Sequence, residues 1–171
     1  MLKRVAVLTA VVMLAFPALA GARIVLNKSI AGIKLGEAKS TVRLQLGGPA
    51  RTYPPSAGTM YQTQWVYYGR KLVVGFKNGH VVQVFTQNRK QRTTSGVGVG
   101  SSRTAVKARI PGVQCVHVKH YSGQECVTSV RHGSVYWATD FHIGLNGHVA
   151  SVLVNIFSAG GAVDRAMSGR L

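Results

Sequence analysis

The chain has 171 residues and carries 21 Lys and Arg against 4 Asp and Glu, a formal net charge of +17. Four acids, none paired at a spacing that suggests an acid and a base, argue against carboxylate-pair catalysis. Past the N-terminal region no stretch reaches about 18 uninterrupted apolar residues, so no transmembrane span is expected in the mature chain.

Residues 1–20 read as a signal peptide. Lys3 and Arg4 precede the uncharged apolar run Val5 to Phe16, and Ala18-Leu19-Ala20 fits the small-x-small pattern of a cleavage site. No cysteine lies near that point, so an N-terminal lipoprotein is not expected. The reading is an exported protein, secreted or on the exterior of the cell envelope, with 21–29 as an N-terminal segment. About 150 mature residues suffice for one domain or two closely packed halves.

Two strings then recur. Gly32-Ile33-Lys34-Leu35-Gly36 returns as Gly96-Val97-Gly98-Val99-Gly100 at an offset of 64, and Asn78-Gly79-His80-Val81 returns as Asn146-Gly147-His148-Val149 at an offset of 68. This spacing predicts an internal duplication. The expected units are a first α/β repeat over 30–88, a basic linker over 89–95, a second repeat over 96–157 and a flexible tail over 158–171.

Each unit opens with a Gly-rich turn and a short helix. Ala38, Val42 and Leu46 stand four apart over Glu37 to Leu46, and Gly47-Gly48-Pro49 stops that helix. In the second unit Ser101 or Ser102 is a good N-cap, Val106 and Ile110 take the buried stride, and Pro111-Gly112 ends it. Strands are expected at Gln62 to Tyr68, Lys71 to Lys77 and His80 to Gln87, then at Val113 to Val118, Gln124 to Val130, Val135 to Ile143 and His148 to Phe157. Asn78-Gly79 and Asn146-Gly147 are strong hairpin turns. The expected class is α+β: two tandem repeats, each a short helical segment followed by an antiparallel β-meander, with helices on one face of the sheet.

Strand parity proposes which face is covered. In the second unit Phe141, Ile143, Ala150, Val152 and Val154 form the core side. Carried back by 68, the core side of the first unit is Val73, Gly75, Val82, Val84 and Thr86. That leaves an apolar opposite face as the expected partner-binding surface: Leu72, Val74, Phe76, Gln83 and Phe85, continued by His142, Ser151 and Leu153. The competing account has the first unit in the opposite parity, with this patch as ordinary core.

Cys115 and Cys126 form an even pair in an exported chain and are expected to make a disulfide across a hairpin that turns at Tyr121-Ser122-Gly123. Zinc is the alternative for Cys115, His117, His120 and Cys126, but it would consume both cysteines as thiolates in an oxidising compartment. Gly96-x-Gly98-x-Gly100-Ser101-Ser102 lacks the Lys-Ser/Thr of a phosphate-binding loop, and Lys34 replaces its middle glycine in the other copy. Its shared role is therefore backbone geometry. Asp140, His142 and Ser151 supply the residue types of a triad without a nucleophile elbow, and read as polar residues on a solvated face. Trp65, Tyr67, Tyr136 and Trp137 read as core and rim. No catalytic, cofactor-binding or metal-binding residue and no small-molecule cofactor is expected.

The Gly-x-x-x-Gly turn, the helix ending at Leu46-Gly47-Gly48-Pro49 and the meander after it resemble the repeat of the beta-lactamase inhibitor protein. The same pattern is similar to the SmpA/OmlA outer-membrane assembly lipoproteins. The resemblance spans about Ile30 to Phe157; it implies a two-layer α/β repeat whose sheet presents a binding face, and no catalysis. The functional expectation is a non-enzymatic protein that recognises an extracellular or envelope protein through its sheet. The alternative is electrostatic binding to an anionic wall polymer, membrane surface or nucleic acid through Arg89, Lys90, Arg92, Arg103, Lys107 and Arg109.

Overall fold

β-branched and aromatic residues dominate the chain after each helix, and strand is the main secondary structure of the described residues. The structure, a computed structural model, describes residues 23–55, 61–117 and 123–158. The expected signal peptide, the tail beyond Ser158, His120 and the turn residues Tyr121 and Ser122 lie outside the described residues.

Three two-residue strands come first: β1 (Ile24–Val25), β2 (Ser29–Ile30) and β3 (Ile33–Lys34), paired antiparallel in a small sheet. They are short because turns break them at once, at Asn27 and at Ala31-Gly32, all with positive φ. Ile24, Ile30 and Ile33 are nevertheless fully buried. Helix α1 (Lys39–Leu46) follows, ended by Gly47 at φ 79°. Then come β4 (Arg51–Tyr53), β5 (Thr63–Tyr67), a 3-10 turn over Tyr68–Arg70, β6 (Leu72–Lys77) and β7 (His80–Thr86). The second helix α2 (Arg103–Arg109) is capped by the Ser102 hydroxyl, which accepts from Ala105 N at 3.2 Å. It leads into β8 (Gln114–His117), β9 (Gln124–His132), β10 (Val135–Ile143) and β11 (Val149–Ser158).

The expected α+β class of two helix-then-meander repeats is corrected. Strands β4 to β11 form one continuous antiparallel sheet in the order β4-β5-β6-β7-β11-β10-β9-β8, and a separate three-stranded sheet precedes it. Helix is confined to α1 and α2 and the 3-10 turn among the described residues. Both helices stop within about two turns, because Gly47 and then Pro111-Gly112 cannot extend them. The pairing of β7 with β11, from Asn155–Gln83 to Val152–Thr86, fuses the strands into a single sheet that no local signal in the chain announces.

What recurs is local. Gly36 N donates to Val81 O, Val81 N to Glu37 O, and Lys39 N to Gly79 O. Gly100 N donates to Val149 O, Val149 N to Ser101 O, and Arg103 N to Gly147 O. Each Asn-Gly hairpin is thus fastened to the start of a helix. The Gly-rich turns have the backbone role expected of them: Gly36 and Gly100 both take positive φ. Gly98 has a further reason to be glycine, since a Cβ there would run into the carbonyl of Gln91.

One face of the large sheet is covered by both helices and the small sheet, with Val42, Val106, Ile24 and Ile30 packed in a single core with Phe76, Val84, Phe141 and Val152. Burying each such side chain contributes about 1.5–3 kcal/mol. Trp65 and Phe76 meet edge to face at 4.7 Å, and Lys39 Nζ of α1 lies over both rings. Parity along β6 is the reverse of that expected, while Val84 and Thr86 of β7 are buried as expected. Leu72, Val74 and Phe76 are core, while Val73 and Gly75 face the other way. The cause is turn length. Lys77 to His80 separate the paired residues Phe76 and Val81, whereas Gly144 to His148 separate Ile143 and Val149, one residue more. A one-residue slip exchanges the two faces of a strand. Val82 and Ala150, both expected in the core, are the extra residues skipped at β-bulges beside these turns.

Candidate functional site: the far face of the sheet

The face turned away from the helices carries two different surfaces. Across β4 to β7, the register sets Arg51, Tyr53, Val66, Val73, Gln83 and Phe85 on it. Arg51 Nη1 donates to the Tyr53 hydroxyl at 3.2 Å, and the guanidinium lies 5.7 Å from the centre of that ring. Tyr68, 58% exposed, joins them from the 3-10 turn. The Arg51 hydrogen bond holds the Tyr53 phenol below its ordinary pKa, and a bond shared with Tyr68 adds to this. The Tyr68 phenol is raised, chiefly by its hydrogen bond with Tyr53. Beside this cluster is a cleft of about 260 Å³ lined by Val66, Tyr68, Val73 and Phe85, with Lys71 and Gln87 at its polar side.

Across β9 to β11 the same face is polar around His142. His142 stands in register with Glu125 on one side and Ser151 on the other. Its Nδ1 and Glu125 Oε1 are 2.8 Å apart. Asp140 lies next to this pair, and burial raises its carboxyl pKa well above the usual value, helped by a hydrogen bond to Glu125 and by that residue's charge. Two of the chain's four acids therefore share one half-buried site, and the Asp140 carboxyl is held towards its protonated, hydrogen-bond-donating form. Glu125 Oε2, Asp140 Oδ1 and Asn155 Oδ1 are buried without a hydrogen-bond partner. Beyond them, Tyr136 stacks on Phe157 at 5.4 Å, over Val127 and Ala138.

The residues expected on the binding face separate cleanly. Leu72, Val74 and Phe76 are in the core and unavailable to a partner. Gln83, Phe85, His142, Ser151 and Leu153 all lie on the far face. Of the triad residue types, His142 directs its Nδ1 to Glu125, not to Asp140. Cys115 and Cys126, opposite each other on β8 and β9, form the expected disulfide. Both sulfurs are thereby consumed, and neither is a thiolate ligand. Trp65 and Tyr67 are buried, and Tyr136 and Trp137 are half-buried.

The basic residues expected to bind anions do not form one patch. Arg92 is turned inward, its Nη1 donating to Ser101 Oγ at 2.9 Å and to Gly96 O at 3.4 Å. Arg89 and Arg109 flank the same loop, near Gly100 and Gly96. Lys90 is exposed in the segment after β7. Arg103 and Lys107 lie together on a different part of α2. Arg51, Tyr53, Tyr68 and Glu125 were missed by reasoning from sequence. The alternation Arg51-x-Tyr53 is a period-2 signal for a strand, but only the β4–β5 pairing brings Tyr68 to it.

No protein-family model matches the chain, and no curated protein matches it. Among solved structures, the fold is similar to that of an extracellular protein containing an SCP domain from Bacillus anthracis str. Ames, at 12% identity and a TM-score of 0.50. That match covers 71% of this chain and 43% of the other, so the chain spans less than half the length of that protein. The uncharacterized protein yfeY from Escherichia coli aligns at 11% identity and a TM-score of 0.46, over 76% of this chain and 95% of its own. At these identities the likeness is one of fold alone. Neither protein is named as a beta-lactamase inhibitor or an SmpA/OmlA lipoprotein.

Proposed function

We propose that the protein is an exported, non-catalytic binding protein that recognises another protein through the far face of its sheet. The observation that carries this reading is the exposed Arg51–Tyr53–Tyr68 cluster beside a preformed apolar cleft. Tyrosine and arginine around an apolar pocket are the side chains that dominate protein interfaces, and their mutual hydrogen bonds reduce the entropy lost on binding. Export is supported by the disulfide, which belongs to an oxidising compartment, and by the extracellular protein of similar fold. No helix among the described residues is long and apolar enough to cross a membrane.

The test is affinity capture from the native envelope and secreted fractions at low and high salt. The wild-type chain is expected to retain a partner at both, and the double variant Tyr53→Ala/Tyr68→Ala to bind that partner at least about tenfold more weakly with an unchanged melting temperature. Equal retention by the two proteins, or retention that disappears at high salt, contradicts recognition by this face.

A further inference from the structure

A second surface lies at one end of the sheet, apart from the far-face cluster. Where β10 turns into β11, Arg103 N of α2 donates to Gly147 O at 3.0 Å and fixes the turn against the helix. Between them and the β8–β9 hairpin is a cleft of about 270 Å³ lined by Arg103, His117, Gln124, Ile143 and Leu145. Arg103 and Lys107, one helical turn apart, also line the open depression next to it. Neither forms an ion pair among the described residues. Among the described residues Glu37 is engaged with Lys34 N and Gln45 Nε2, and Glu125 with His142. Gln124 is one of the lining residues. At its rim Leu145 is 85% exposed.

These groups call for two things in one occupant: apolar material for the leucine and negative charge for the two cations. A wall polymer or nucleic acid meets the charge but leaves Leu145 in water, and a free phosphate fills only the cleft. We propose that this end of the molecule docks on an anionic phospholipid surface. Leu145 enters the acyl boundary, and Arg103 and Lys107 meet headgroup phosphates. Apolar burial and charge act together here, which gives binding that is stronger than either supplies alone and is weakened by salt.

The experiment is co-sedimentation of the protein, purified from its native host, with vesicles of phosphatidylglycerol and phosphatidylcholine, and with vesicles of phosphatidylcholine alone. Binding only to the anionic vesicles is expected. Arg103→Glu changes the charge by two units at about 1 kcal/mol each and should weaken partitioning about thirtyfold. Leu145→Ser should weaken it about tenfold. Lys77→Glu makes the same charge change beside the other hairpin, at the opposite end of the sheet, and should alter partitioning less than about threefold. Glycerol 3-phosphate in solution should not compete. Equal binding to both vesicles, equal losses in Arg103→Glu and Lys77→Glu, or an indifferent Leu145→Ser with competition by glycerol 3-phosphate would each overturn the proposal. The last result would identify a site for a soluble anion. Melting temperatures equal to wild type confirm that each variant is folded.

Discussion

The two Asn-Gly hairpins sit at opposite ends of one sheet and are fastened to their helices by the same three backbone bonds, yet they orient the strand before them differently. One extra residue between Ile143 and Val149 is enough. It sets Phe141 in the core at a position whose simple counterpart by offset, Val73, faces away. Similar strings thus specify similar junctions, while loop length decides which side chains a partner can reach.

Apart from truncation within the core, the largest expected effect comes from the paired positions Lys34 and Gly98 in the Gly-rich turns. Gly98→Ala places a methyl group against the Gln91 carbonyl and should cost about 3 kcal/mol in denaturant unfolding. Lys34→Ala, at an exposed position, should cost less than about 0.5 kcal/mol. Equal costs would break the contrast between the turns. The next largest concerns the disulfide, which the first half lacks. Cys115→Ala/Cys126→Ala should lose about 2–3 kcal/mol, measured as a lower denaturant midpoint, because the bond closes a loop over a sequence separation of 11 residues.

The smallest effect at neutral pH sharpens the difference between the two ends of the far face. The folded pKa of Asp140 is raised by burial and by Glu125, so the folded state holds its proton more tightly than the unfolded chain does. The associated stability is fully present below the ordinary carboxylate range and is lost as pH rises through the raised value. Asp140→Asn should therefore raise the melting temperature at pH 7, where wild-type ionisation is disfavoured by the fold, and flatten its fall between acid and neutral pH. A variant that melts lower at pH 7 and tracks the wild-type pH profile would contradict a protonated Asp140. Tyr53→Phe, at the exposed end, leaves every carboxyl in place and should not alter that acid-to-neutral profile.

Local chemistry was legible in the chain. The strands from Thr63 to Thr86 and from Gln124 to Ser158, both Asn-Gly turns and the cysteine pair announce themselves through neighbouring residues. The Ser102 cap is equally local. What was not legible depends on pairing at a distance. The β7–β11 contact that makes one sheet joins segments about 70 residues apart and leaves no periodic trace. Strands β1 to β3 are two residues each, too short for alternation to register, although Ile24, Ile30 and Ile33 anchor them. Five residues of the expected binding face were placed on a common surface; Leu72, Val74 and Phe76 were lost to the core because repeat offset was carried across a turn whose length differs. The Arg51–Tyr53–Tyr68 cluster needed β4, a three-residue strand ending at Pro54, before its members could be seen as neighbours.

The central claim is that the first half presents Phe85, and not Phe76, on the surface open to a partner. Thermal unfolding of Phe76→Ala and Phe85→Ala, measured side by side, tests it most directly. Phe76 meets Trp65 inside the core, and its truncation should cost about 3–5 kcal/mol, whereas Phe85, half-buried on the far face, should cost no more than about 1 kcal/mol. Equal destabilisation by the two substitutions, or a larger loss for Phe85→Ala, would place Phe85 in the core and contradict the account.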